Sequence, residues 1–362
     1  MLLKAFENEY TNKNVFQSFG TINTFIDLKT QWRYKDDKHW GELLSRFREK
    51  GPTQNDYDII NSRVIGSSGC VLPANACYAS FSNIDRCAIN DGIFMKVIEK
   101  THNKNPTLMP PKSAICIRGT NMRVRDGVNR AANFIDMSSS MKDLIYATCG
   151  EAHLKTLGKS EKYVSPLLKM YGGQPVMINE NIDVANCIAN GAEGIFKGVV
   201  FKAGVDFVDL DIITIDGYRI YCAGAHQLES LTIEMKDGLN PGIIQLNAKD
   251  FSVKAELPIS FGQNVTSNTQ RARVAMKLHQ FPLNIANCRT AHKLQGRTLD
   301  NLVITSWCMG KGWPYVALPR VRTLKGVFLR LPLKEIKKPG LAIDVRTMLQ
   351  LFRNTLLVKE DT

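Results

Sequence analysis

Within Thr290-Ala291-His292-Lys293-Leu294-Gln295-Gly296-Arg297-Thr298, the side chains of Thr290, His292, Lys293 and Gln295 offer four hydrogen-bonding groups in six positions. Gly296 lets the backbone turn or approach a ligand closely. The apolar run Leu302-Val303-Ile304 follows, then Tyr315-Val316-Ala317-Leu318-Pro319-Arg320-Val321-Arg322, with two arginines at i and i+2. Arginine stays charged, and its planar fork matches phosphate oxygens. A polar loop, a buried strand and arginines make an anion-handling layout of the kind α/β proteins present at strand ends.

The same residues have plainer uses. His292 and Gln295 can satisfy buried backbone groups, and Arg320 with Arg322 can solvate a helix face. What separates the readings is the company these residues keep along the chain.

Upstream, Asp36 or Asp37 can cap a helix whose apolar positions Trp40, Leu43, Leu44 and Phe47 follow i, i+3, i+4, i+7, with Gly51-Pro52 closing it. Cys77-Tyr78-Ala79-Ser80-Phe81 reads as a short strand, with Asn83 capping a helix that places Ile89, Ile93 and Val97 on one face. A proline-broken loop over 101–112 leads to a strand at Ala114-Ile115-Cys116-Ile117. Helical patterns are expected from there to about 170, including Pro166-Leu167-Leu168-Lys169-Met170. From Pro175 the text turns β-rich, and Asp216-Gly217 between two apolar runs signals a two-residue hairpin.

Taken together, Thr-x-His-Lys-x-Gln-Gly, a buried strand and Tyr-Val-Ala-Leu-x-Arg-Val-Arg-x-Leu-x-Gly resemble motifs V and VI of superfamily 1 DNA helicases of the RecD-like, Pif type. The segment from Leu28 and Arg33 through the Trp40 helix is similar to that family's link between its two motor domains. Asn83, Arg86 and Asn90 match a strand and helix of the second motor domain. Gln174, Asn181, Asn190, Gly191 and Gly194 match a β-rich insert near the DNA.

The resemblance implies an α/β fold: a RecA-like second motor domain, with a parallel sheet flanked by helices, and a small β-rich SH3-like insert. Residues 1–65 would be a remnant of the first motor domain with linker helices, 66–170 and 283–350 the second motor domain, and 171–282 the insert. It assigns Arg33 and Arg320 to catalysis at the γ-phosphate. Thr290, His292, Lys293, Gln295 and Gly296 would couple ATP to DNA, with Arg86, Asn83, Arg322, Asn190 and Gly191 as secondary site residues. No metal-binding residue is assigned.

The family hydrolyses ATP with a Gly-rich phosphate loop, a Ser/Thr on Mg²⁺ and an acidic pair, and none of these motifs is found here. Gly158-Lys159-Ser160 mimics the end of such a loop, but position 153 is His where a glycine is needed, and no apolar strand precedes it. ATP and Mg²⁺ are therefore expected only with a complete first motor domain, which would lie in the same longer chain, and these residues alone are expected to be inactive. Pro319 stands where the family usually has Ser or Thr. If Arg320 lies inside a helix starting near Trp313, that proline costs on the order of 3 kcal/mol outside the first turn and would displace the arginine. The alternative is a non-catalytic nucleic-acid-binding or partner-docking protein derived from a helicase.

Composition agrees with a polyanionic partner. The 362 residues carry a net charge of +13 with pI near 9.3, which favours binding to phosphates, here single-stranded or forked DNA. With 44% hydrophobic and 22% charged residues the chain is of ordinary globular composition, long enough for two or three domains. Nine cysteines show no CxxC pair, which points to reduced thiols rather than zinc or disulfides. Neither a membrane-spanning run nor a signal peptide is read, so an intracellular protein of the nucleus or mitochondrion is expected, with no membrane partner.

Overall fold

The computed structural model describes residues 24–27, 32–49, 51–67, 70–73, 76–102, 108–125, 134–148, 154–156, 163–236, 242–258, 271–308, 313–334 and 357–360. After strand β1 (Thr24–Asp27) comes helix α1 (Lys38–Glu49). Its start is fixed by Asp37, whose carboxylate accepts the Trp40 N–H at 3.0 Å. Trp40, Leu43, Leu44 and Phe47 are all buried, the face that the 3.6-residue period foretells. Gly51 ends it at φ +93°, its N–H reaching the Arg46 carbonyl at 2.7 Å. Helix α2 (Gln54–Asn61) opens with a capping box between Thr53 and Asp56.

Strand β2 (Cys77–Ser80) leads into α3 (Asn83–Thr101). The cap is Ser82, one residue earlier than expected: its side chain accepts the Asp85 N–H at 3.0 Å, and Asn83 is the first helical residue. The buried face is correspondingly Arg86, Asn90, Phe94 and Ile98, while Ile89, Ile93 and Val97 are only half-buried.

Next come β3 (Ala114–Arg118), β4 (Thr120–Arg125), β5 (Phe134–Asp136), α4 (Ser139–Thr148), β6 (Lys155–Thr156) and β7 (Leu167–Tyr171). Among the described residues the helical expectation for this region holds only at α4. Leu168 and Met170 are buried while Leu167, Lys169 and Tyr171 are half-buried, an alternation of period two that makes 167–171 a strand. The β-rich part thus begins near 114, not at 175. Gly158-Lys159-Ser160 lies outside the described residues.

Strands then follow closely: β8 (Pro175–Ile178), β9 (Glu193–Phe201), β10 (Asp211–Ile215), β11 (Tyr218–Gly224), β12 (Leu228–Met235), β13 (Ile243–Leu246), β14 (Lys249–Pro258), β15 (Arg271–Gln280), β16 (Leu283–Ile285) and β17 (Cys288–Thr290). Asp216 at φ +49° and Gly217 at φ +82° form the expected tight hairpin between β10 and β11. The last elements are α5 (Ala291–Leu294), β18 (Leu302–Ile304), α6 (Trp313–Ala317), β19 (Val327–Leu329) and β20 (Leu357–Glu360).

The chain divides into two compact units, the second (Cys77–Leu294) interrupting the first (Met1–Ala76 with Gln295–Thr362). In the first unit β18 pairs parallel with β19, as β1 does with β20. Arg63 donates to the carbonyls of Val327 and Lys325, and Asn61 exchanges two hydrogen bonds with Leu333, so the end of α2 holds β19 and the residues after it.

In the second unit β17 runs parallel to β2. Three further sheets run β10-β11-β3-β7, β13-β12-β9-β8-β16 and β5-β4-β15-β14-β6. The largest core joins the first two of these through Ile117, Leu168, Val176, Ile178, Leu231 and Phe281. A second core under the third sheet gathers Met122, Ile145, Val253, Met276 and Leu278. Two of the sheets combine strands from before and after residue 170.

Candidate functional site

In the first unit, residues far apart in sequence bring two arginines together. Arg33 sits in a single 3₁₀ turn (Trp32–Tyr34), and Arg320 ends another (Leu318–Arg320) directly after α6. Arg33 Nη1 and Tyr34 Oη both donate to the Pro319 carbonyl oxygen, each at 3.4 Å. Arg320 is half-buried, and its Nε is buried with no hydrogen-bond partner among the described residues. Burial, then the Arg33 charge, lower the Arg320 pKa, with Tyr34 and Tyr315 opposing. Burial likewise raises the Tyr34 pKa, so its hydroxyl stays neutral and able to donate. Two guanidiniums that repel, one with an unmet donor, form a set of the right chemistry for a phosphate oxygen.

Pro319 does not break this arrangement. The helix begins at Trp313 as expected but ends at Ala317, before the proline, which takes the second position of the following 3₁₀ turn. No hydrogen bond is lost there, so the feared displacement of Arg320 has no cause. The Pro319 carbonyl instead becomes the point to which Arg33 and Tyr34 are tied.

Asp37 and Trp40 hold the two arginine-bearing turns in place. Asp37 caps α1 with one oxygen and accepts the Leu324 N–H with the other at 3.1 Å. Trp40 Nε1 donates to the Val321 carbonyl at 3.3 Å from a side chain that is almost wholly buried. The sequence marked Asp37 only as a cap and Trp40 only as core. Tyr34 adjoins Arg33, but nothing in the sequence pattern marks its hydroxyl as part of the set. Arg322, two residues beyond Arg320, is exposed.

The polar loop changes unit as it runs. Thr290, at the end of β17, pairs in register with Ser80 of β2 and is half-buried. Lys293 is exposed on the single turn of α5, where the His292 side chain lies outside the described residues. Gln295 and Gly296 begin the returning segment of the first unit, both exposed, with Gly296 at φ +82°, a backbone state that glycine adopts at no steric cost. Beside the loop, burial raises the Cys77 pKa and pushes that of Cys288 up to about 12, so neither thiol is a nucleophile at neutral pH.

The other candidates are framework groups of the second unit. Arg86 is buried and donates to the Asn83 side-chain oxygen at 3.1 Å. Asn90, also buried, accepts the Cys288 N–H at 2.8 Å and donates to the Cys288 carbonyl at 3.4 Å, fastening α3 to β17. Gln174 closes the turn between β7 and β8 by donating to the Lys169 carbonyl and accepting the Tyr171 N–H. Asn181 accepts the Asn190 N–H at 3.0 Å, and Gly191, at φ +100°, turns the chain towards β9. At Gly194 a Cβ would sit 2.5 Å from Ile233 Cγ2 and 2.9 Å from the Glu234 carbonyl, so a side chain there would collide with β12.

Among solved structures, Pif1 helicase from Candida albicans superposes on 90% of this chain with a TM-score of 0.51 at 14% identity, the match covering 60% of that chain. The fold is that of a Pif-type helicase. Bacteroides Pif1 bound to ssDNA also matches 90% of this chain and 55% of its own, with 17% identity and a TM-score of 0.49. Over 61 residues the sequence is 43% identical to the ATP-dependent DNA helicase Pif1 of Bdellovibrio bacteriovorus, a segment covering 16% of this chain and 13% of that protein. No family model matches. The chain thus spans little more than half the length of the Pif1 structures it resembles. The expected α/β class, with parallel strand pairs and flanking helices, stands within this fold.

Proposed function

We propose that these residues form the C-terminal part of an ATP-dependent DNA helicase that translocates on single-stranded DNA and unwinds duplex. They would supply the arginine side of an ATP site whose phosphate loop lies on other residues of a longer chain. The observation that carries this is the placement of Arg33, tied to the Pro319 carbonyl, beside the charge of Arg320, whose buried Nε has no hydrogen-bond partner among the described residues. Bound ATP with Mg²⁺ would bring the transferable γ-phosphoryl group. Arg33 and Arg320 would stabilise charge on it, an effect worth about 10³–10⁵ in rate where such arginines are known.

Thr290, His292, Lys293, Gln295 and Gly296 would couple that site to the strand, and the +13 net charge supports a nucleic-acid partner. The Pif1 structures in complexes with DNA support single-stranded and forked DNA as partners. The proposal keeps 1–65 as the remnant of a first motor domain, 66–170 with 283–350 as the second, and 171–282 as an SH3-like insert. It also keeps a nuclear or mitochondrial location. Without a phosphate loop and acidic metal site these residues would bind DNA but not turn over ATP.

The test is DNA-stimulated ATP hydrolysis by a chain completed with a phosphate-loop domain, with and without Arg320→Ala. The expected result is loss of turnover with single-strand binding retained. Undiminished turnover would remove Arg320 from the chemistry. Absence of turnover in the completed parent would favour the non-catalytic, DNA-binding or docking role.

A further inference from the structure

The sheet β5-β4-β15-β14-β6 has two unlike faces. One packs Met122, Phe251, Val253, Met276 and Leu278 into a core beneath α4. On the other, pairing sets the exposed side chains in rows. Arg123 lies opposite Asp136 on one side and Lys277 on the other, and Lys277 lies opposite Ser252. In the neighbouring row Arg125 is opposite Phe134, and Lys254 is flanked by Ala275 and by the backbone of Lys155.

Lys277 therefore stands among Arg123, Arg125 and Lys254, all four exposed. Among the described side chains two carboxylates share the face and both are engaged, Asp136 with Arg123 at 2.9 Å and Asp250 with His279 at 2.7 Å. Arg125, Lys254 and Lys277 make no ion pair among the described residues. Residues two apart on a strand lie about 7 Å from one another, and adjacent strands about 4.8 Å, so the cations form a two-dimensional grid, not a single line.

From this grid we infer that the face seats the sugar-phosphate backbone of duplex nucleic acid. The inference rests on the nucleic-acid reading above and adds a second kind of substrate contact to it. Charge complementarity names a polyphosphate partner, and the lack of a stacking surface among the described residues of this face favours the duplex form. Binders of single strands stack bases on exposed aromatic rings. Here Phe134 is half-buried with the Lys277 ammonium 4.9 Å from its ring centre, and Phe251 points into the core. A face with cations and no free ring contacts phosphates, which positions a duplex without reading its bases.

The test is binding of the whole chain to a short blunt duplex and to a single strand of equal length, by fluorescence anisotropy across a salt series. The comparison is with the triple variant Arg125→Gln, Lys254→Gln, Lys277→Gln, matched to the parent by circular dichroism and thermal unfolding. The variant should bind duplex more weakly and lose about 2–3 from the slope of log affinity against log salt, near 0.9 per phosphate contact removed. Its single-strand affinity should stay within about twofold, since those contacts lie elsewhere on the chain. Arg125→Lys alone keeps the charge and should keep the duplex slope. An unchanged duplex slope in the triple variant, or an equal loss on single strands, overturns the assignment of this face. Should the parent bind neither nucleic acid, the proposed function itself fails, a result distinct from failure of this face.

Discussion

The Arg33 guanidinium is fixed by a hydrogen bond to the Pro319 carbonyl, which puts its charge beside that of Arg320 although 286 positions separate Arg33 from Pro319. Like charges held together in a half-buried setting destabilise the fold until an anion joins them. Arg320→Met should therefore stabilise the anion-free protein, by about 1 kcal/mol, through removal of an unmet buried donor. Pyrophosphate should raise the melting temperature of the parent and leave that of the variant nearly unchanged. Scanning fluorimetry with a pyrophosphate titration checks both, and an equal rise in the two proteins would mean that the anion binds elsewhere.

Asp37 serves two segments with one carboxylate, capping α1 and holding the Leu324 N–H. Replacement by Ala should cost about 1–2 kcal/mol, the worth of a good helix cap. Asp37→Asn keeps one acceptor oxygen and should recover part of this. Chemical denaturation of the three proteins gives the comparison, and a loss confined to a few tenths would show that water replaces both contacts.

Asn90 gives β17 both a donor and an acceptor at Cys288. Asn90→Leu is close in size but leaves the buried Cys288 N–H without a partner, so a loss of about 1–3 kcal/mol is expected. Hydrogen exchange at the Cys288 amide should accelerate in step, and continued full protection there would rule out the clamp.

Asp56 is buried and accepts two hydrogen bonds from Arg46, the larger influence that holds its carboxyl below the ordinary value of 3.8. The unfolded chain takes up this proton first as pH falls. The stabilisation is complete above the ordinary carboxylate value and is lost as pH drops through the lowered folded value. Asp56→Asn should cost about 1–3 kcal/mol at neutral pH and flatten the acid limb of stability below about pH 4. Parallel acid limbs in parent and variant would assign the pH response to other carboxylates.

Legibility in the sequence followed the range of each interaction. Helix α1 could be read because a cap, four apolar positions at helical spacing and a terminal glycine all agree within 15 residues, 37–51. The hairpin at Asp216-Gly217 was equally local. Ser82 and Asn83 are both capable caps, and only the structure decides between adjacent candidates. Strand β7 reads as helix in the sequence because a five-residue run is too short to distinguish the two periods. In β4 only Met122 is fully buried, so its alternation is faint. The Arg33 and Arg320 pairing has no local signal at all. Resemblance to helicase motifs suggested it, while the contact depends on turns placed by Pro319, Asp37 and Trp40.

The hydrogen bonds between Asn61 and Leu333 also set a timetable for synthesis, since 272 residues must follow Asn61 before its partner exists. At ribosomal speeds of about 5–20 residues per second that is a wait of roughly 15–55 s. All of Cys77–Leu294 is made within that interval. The interrupting unit can therefore begin folding while α2 still presents an unclaimed amide, and completion of the outer unit follows it in the birth of the protein.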